Sequence, residues 1–151
     1  MEGYDLINDI LVRLFHDILE LEECAIISGE FSNMTVNDMH IVEAIGTGEG
    51  KNMSSIAKAL GITVGSLTTS MNGLVKKCYA VRERSEEDRR LVLVKLTDKG
   101  VRAYNQHSAF HDELTRAAIE SIDPEEMPVL IKVLSGVSDF FREFKKKYDK
   151  K

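Results

Sequence analysis

Apolar residues recur near the start of the chain at Ile7, Leu11, Leu14, Ile18 and Leu21, spaced four, three, four, three. That spacing is the seam of an amphipathic helix, and Ile10 and Phe15 widen the stripe. The pattern predicts a helix over 5–27, closed by Gly29. Thr35 with Asp38 three residues on is a capping-box signal. It opens a second helix that carries Met39, Ile41, Val42 and Ile45 and stops in the glycines of 46–50. Asn52 is a good N-cap for a third helix that buries Ile56, Ala57 and Leu60. Gly61 makes a tight turn, and Thr63 caps a fourth helix. At about 100° per residue, Val64, Leu67, Met71, Leu74, Val75 and Cys78 fall on one side of that helix. Gly65, Ser66, Thr68, Thr69, Asn72, Lys76 and Lys77 fall on the other.

The period then changes to two. Val81 against Arg82 and Arg84, followed by Leu91, Leu93 and Leu96 against Val92, Val94 and Lys95, predicts a two-stranded ribbon. Its tip is the charged run 85–90. Thr97 caps a long helix over 98–122. Asp123-Pro124-Glu125-Glu126 is a further start signal with Pro at the first helical position, and Pro128 shifts that start by up to a turn. The last helix uses Leu130, Val133, Leu134, Val137, Phe140, Phe141 and Phe144, and frays over 145–151. The predicted fold is mainly α with a small two-stranded β wing, a winged helix-turn-helix in the order α-α-α-α-β-β-α-α. Residues 35–100 form the nucleic-acid-reading lobe, and 1–34 with 101–151 form a dimerisation lobe. The terminal helices are rich in Leu, Ile, Val and Phe, which a winged-helix core does not need. They either pack on each other within one chain or join two chains. The dimer is the favoured reading, because a two-fold pair sets its reading helices about 34 Å apart, one turn of DNA.

The net charge of −5 argues against a nucleic-acid partner until its distribution is counted. Residues 1–50 hold one base against eleven acids, whereas 51–102 hold eleven bases against five acids. The positive charge therefore lies in the helix-turn-helix and wing, and a local patch is what phosphate meets. Cys24 and Cys78 are two and far apart, reduced thiols rather than a disulfide framework. No apolar run is long enough to span a bilayer and no signal-peptide pattern opens the chain, so a cytoplasmic protein with no membrane partner is expected.

The outer face of the fourth helix is short-chained, polar and ends in bases, which suits reading base edges and touching phosphates. An ordinary solvated helix face carries more Glu and Lys. No phosphate-cradling glycine loop, nucleophile elbow or HExxH pattern occurs, so an enzyme is not expected, and neither is a cofactor. A protein-interaction winged helix is the rival reading. Such a module does not need the bases Lys76, Lys77, Arg82, Arg84, Arg89 and Arg90. His107 and His111 share a helix face, and with His40 and the thiol of Cys24 or the carboxylates of Glu22 and Glu23 they are candidate zinc ligands. The plainer reading is a structural pair, one imidazole buried and hydrogen-bonded and the other solvated.

Residues 52–60, 61–79, the wing run 82–90 and Leu96-Thr97-Asp98-Lys99-Gly100 together resemble the MarR family of bacterial transcriptional regulators. The Asp88-Arg89-Arg90 wing followed by Leu-Thr-x-Lys-Gly is the most specific part, and the likeness covers essentially the whole chain. One departure is Cys78, where the family usually has glycine; a left-handed residue there costs a non-glycine about 1–2 kcal/mol. The resemblance implies an interlocked homodimer on double-stranded DNA at a palindromic site. Thr63, Gly65, Ser66, Thr68, Thr69, Asn72 and Lys76 would lie in the major groove. Arg84, Arg89 and Arg90 would lie at the wing, with Arg89 in the minor groove and Asp88 orienting a neighbouring arginine. Within the family, Thr63–Asn72, the wing tip, Glu22-Glu23, Met39-His40 and Phe110-His111 are similar to the repressors of type II fatty-acid synthesis in Gram-positive bacteria. That likeness implies acyl-loaded acyl carrier protein as corepressor. The acyl chain, or another small hydrophobic ligand, would enter a pocket lined by Phe15, Met34, Met39, His40, Phe110 and His111. A zinc- or small-molecule-responsive regulator of the same family is the alternative, and for any one lining residue plain core is the simpler account.

Overall fold

A computed structural model describes residues 2–27 and 29–148. The chain divides after His111 into two compact units. The first opens with α1 (Glu2–Ile27), followed by α2 (Val36–Ile45), a two-residue strand β1 (Lys51–Asn52), α3 (Met53–Leu60) and α4 (Val64–Lys76). The wing strands β2 (Ala80–Arg84) and β3 (Val92–Leu96) come next, and then α5 (Asp98–Glu120), whose last turns pass into the second unit. A 3-10 turn at Pro124–Glu126 and α6 (Met127–Tyr148) complete the second unit. The mainly helical winged helix-turn-helix predicted from the sequence is the fold observed.

The predicted caps explain the helix starts. Thr35 Oγ1 accepts from the Asp38 N–H and Asp38 Oδ2 accepts from the Thr35 N–H, each at 3.1 Å, a reciprocal capping box. Asn52 Oδ1 accepts from the Ser55 N–H at 2.8 Å and Thr63 Oγ1 from the Ser66 N–H at 3.1 Å. Gly61 ends α3 in the left-handed region at φ 66°, the turn of the motif. At the second unit's turn, Glu126 Oε2 accepts from the Asp123 N–H at 3.1 Å, and α6 begins at Met127, past the predicted start.

The core is one cluster. Met39, Ile41, Val42 and Ile45 of α2, Ile56 and Ala57 of α3, and Leu67, Met71 and Leu74 of α4 join Tyr79, Ala80, Val94 and Ala103. Burying each large side chain of this kind contributes about 1.5–3 kcal/mol, so the three helices and the sheet hold one another in place. Phe31 and Met34 lie in the same cluster, with Phe31 edge-on to Tyr79.

Three particulars differ from the sequence reading. The wing is a three-stranded antiparallel sheet in the order β1-β3-β2, with Lys51 opposite Val94 and Asn52 opposite Leu93. Two residues are too few to show alternation, so β1 leaves no periodic trace. Val64 and Cys78, placed on the inner side of α4, are exposed. Val64 stands in the first turn at the edge of the stripe, and Cys78 lies beyond the end of the helix, where the helical angle no longer applies. Finally, α6 runs unfrayed to Tyr148, and 149–151 lie outside the described residues.

Candidate nucleic-acid interface and histidine cluster

Leu67, Met71 and Leu74 anchor α4 from below with no exposed surface. Gly65, Ser66, Thr68, Thr69, Asn72 and Lys76 are exposed on the opposite side. Several of these side chains are already oriented. Thr63 Oγ1 and Ser66 Oγ lie 2.9 Å apart, and Thr68 Oγ1 donates to the Val64 carbonyl at 2.7 Å, which leaves its lone pairs facing out. Lys77, read as part of the outer face, turns instead to Asp38 and pairs with it at 2.9 Å. It ties the end of α4 to the start of α2.

The end of α4 is built with care. Cys78 has φ 63° and is the sole non-glycine with positive φ among the described residues. Tyr79 N–H donates to the Leu74 carbonyl at 2.9 Å and Cys78 N–H to Val75 at 3.0 Å, the paired bonds of a Schellman ending. Cys78 therefore occupies the position that favours glycine. The Leu-Thr-x-Lys-Gly run closes over this ending. Thr97 Oγ1 donates to the Cys78 carbonyl at 2.7 Å and accepts from the Gly100 N–H at 3.1 Å. Lys99 Nζ donates to the Lys77 carbonyl at 3.2 Å and lies 4.1 Å from the centre of the Tyr79 ring. A Cβ on Gly100 would sit 2.0 Å from the Tyr79 carbonyl oxygen, so only glycine fits.

In the wing, Asp88 Oδ1 accepts from the backbone N–H of Arg90 at 2.9 Å and Ser85 Oγ from the Asp88 N–H at 3.3 Å. Asp88 thus shapes the tip through the backbone of its neighbouring arginine. Arg84, Arg89 and Arg90 are exposed. One residue left off the predicted site belongs with them. Arg82 Nη2 donates to Asn72 Oδ1 at 2.8 Å, linking wing to reading helix. Its place two residues before Arg84 on an alternating strand was the signal for it.

The predicted effector residues separate. Met34 and Met39 are packed core, 5% and 1% exposed, whereas Phe15 is 42% exposed. Phe110 is half-buried with its ring 5.3 Å from that of His111. A groove of about 390 Å³ beneath the wing is lined by Glu49, Glu83, Arg84, Glu86, Glu87 and Lys95, too charged for an acyl chain. His40 and His111 belong to a different assembly, centred on Glu22 of α1. The buried Glu22 carboxylate lies 3.3 Å from His111 Nε2, 3.8 Å from His107 Nε2 and 3.9 Å from His40 Nε2. The Nε2 atoms of His107 and His111 are 3.2 Å apart, so at most one carries the proton between them. Burial lowers the His107 pKa below the ordinary histidine value, with the His111 charge next in effect and Glu43 and Glu22 opposing. Glu22, His107 and His111 bring ligand atoms within 4.8 Å of one another, with His40 at the rim. Of the thiol and carboxylates expected beside the histidines, Cys24 is exposed and stands outside this group, whereas Glu22 lies at its centre.

Comparison with known proteins agrees with this geometry. Residues 32–91 match the family model described as MarR family. The structure of FabT from Streptococcus pneumoniae in complex with DNA is similar over 93% of this chain and 99% of that one, at 33% identity and a TM-score of 0.81. PchR, an HTH-type transcriptional regulator of Bacillus subtilis, is 25% identical over 88% of this chain and 86% of its own length. The uncharacterized HTH-type regulator YfiV of the same organism is 28% identical over 76% of this chain and 71% of its own. Among the described residues no helix is long and apolar enough to cross a membrane.

Proposed function

This chain belongs to the MarR family of winged helix-turn-helix transcriptional regulators, and we propose that it acts as a homodimeric repressor on a palindromic operator. The observation that carries the reading is α4. It is capped at Thr63, seated on Leu67, Met71 and Leu74, and presents Gly65, Ser66, Thr68, Thr69, Asn72 and Lys76 outward beside Arg84, Arg89 and Arg90 of the wing. In this reading α4 enters the major groove, and Arg89 enters the minor groove, where narrow A·T tracts attract arginine. Asp88 keeps the tip in shape. The dimer is supported by α1 and α6, whose apolar side chains are exposed in the single chain. Asn72→Ala is expected to weaken a selected operator by about 1–3 kcal/mol and leave non-specific binding nearly unchanged. An equal loss on random DNA would remove Asn72 from the base-reading set. Salt settles the broader question: affinity for DNA falls steeply between low and physiological salt, whereas a protein-interaction module shows no such slope on DNA.

The likeness to FabT supports fatty-acid synthesis genes as targets, with acyl-loaded acyl carrier protein as corepressor. The test is operator titration with and without the acyl-loaded carrier. Tightening by the acyl form over the unloaded carrier supports it, and an unchanged affinity ends it. A second reading is favoured by the Glu22 cluster. Three imidazoles and a buried carboxylate are a donor set that suits zinc, and Glu22, His107 and His111 fit it as they stand. These residues join α1, α2 and α5, so a bound ion would hold those helices together. Zinc titration of the chelated protein, followed by melting temperature and operator affinity, separates the two effectors. A rise in melting temperature that Glu22→Gln abolishes supports the metal.

A further inference from the structure

We propose that Arg82 and Asn72 form one unit that presents donors to the base edge and so selects guanine in the operator. The inference rests on the DNA-binding reading above and specifies what α4 reads. The flanks of α4 are engaged differently. On the side facing α2, Lys77 is held by Asp38 and Ser70 Oγ lies 3.5 Å from Asn37 Nδ2. On the side facing the wing, Arg82 Nη2 reaches Asn72 Oδ1 at 2.8 Å. Both side chains are exposed, so they are available to a base edge.

A guanidinium has donors and no acceptor, which fixes the amide. The Asn72 oxygen faces Arg82 and the NH2 group faces away from it. An asparagine with both ends open takes adenine, accepting from N6 and donating to N7. With one lone pair of its oxygen taken and that end turned to Arg82, Asn72 presents its two N–H donors as the freer end. The remaining N–H groups of Arg82 beside it are donors as well. Guanine presents two adjacent acceptors, N7 and O6, whereas adenine sets its N6 amino group against the donors. Arg82 is thus a positioning residue that sets the polarity of Asn72.

The experiment is a base-pair scan of the selected operator with the native dimer, Asn72→Ala and Arg82→Ala, at fixed salt. The position whose preference Asn72→Ala erases is the base that Asn72 reads. The native protein is expected to favour guanine over adenine there by about tenfold. Arg82→Ala frees the amide oxygen, so the ratio falls to near one or inverts toward adenine. Loss of the Arg82 charge alone lowers affinity evenly on all sequences and leaves the ratio unchanged, which overturns the proposal. A native preference for any base other than guanine at that position, or no position responding to Asn72→Ala, also overturns it while operator binding stands. A native protein that selects no sequence refutes the DNA-binding reading itself. Unchanged thermal melts of both variants confirm that the readout concerns folded protein.

Discussion

Leu67, Met71 and Leu74 of α4 share a sealed cluster with Ile56 of α3 and Val42 of α2, all without exposed surface. On α1 and α6, residues of the same chemical kind stay open: Ile7 is 60% exposed and Phe140 is 60% exposed. Both regions show helical periodicity in the sequence, and the pattern alone does not tell which stripe is covered by its own chain. The head covers its stripes with three helices and a sheet drawn from consecutive sequence. On α6, Val133, Leu134, Phe140, Phe141 and Phe144 are likewise exposed. Exposed apolar surface on that scale marks a protein interface. The head is thus held by internal packing, while α1 and α6 call for a partner, which the proposed dimer supplies.

The largest effect should come from breaking the open side. Phe140→Glu places a charge in the apolar face of α6, and a two-fold interface meets the lesion twice. Losing the burial of two phenylalanines corresponds to about 3–6 kcal/mol, so sedimentation should show monomers with helix content retained. A dimer that survives the change with unaltered affinity moves the interface off this face. Breaking the sealed side gives the complementary result. Leu67→Ala leaves a cavity in the head and should cost about 2–5 kcal/mol of stability by urea denaturation; a loss below 1 kcal/mol would show the cluster collapsing around the gap. A smaller effect sharpens the role of the wing. Arg89→Ala is expected to cost on the order of 1 kcal/mol in operator affinity, and most on sites with A·T-rich flanks. Uniform weakening across flanks would make Arg89 a phosphate contact. The smallest change is favourable. Cys78→Gly relieves the left-handed residue at the end of α4 and should raise stability by about 1 kcal/mol, read as a modest increase in melting temperature. A decrease would mean that the added freedom of glycine in the unfolded chain outweighs the strain removed.

The head was legible in the sequence because its signals are local and redundant. Thr35, Asn52 and Thr63 cap helices by contacts three residues away, and Gly61 turns where a left-handed residue is needed. What escaped was set by contacts distant in sequence. β1 is defined by pairing with β3 some forty residues on. Lys77 was drawn from the outer face of α4 by Asp38, and Arg82 gained its role by reaching Asn72. At the histidines, helix spacing paired His107 with His111, but only the packing of α1 against α2 and α5 puts Glu22 between them and His40. Cys24 is two residues from Glu22, and on a helix that step turns a side chain to another face. Met34 and Met39 show the reverse: apolar character suggested a pocket lining, and their burial places them in the core.

Gly100 has a consequence for how any signal is delivered. With the Tyr79 carbonyl 2.0 Å from where its Cβ would be, and Thr97 and Lys99 bonded to the carbonyls of Cys78 and Lys77, the first turn of α5 and the last of α4 meet backbone to backbone. The Thr97 and Lys99 side chains clamp that contact from either side. In the proposed regulator, an effector that turned α5 at His107 would therefore act on the end of the reading helix directly, through this contact.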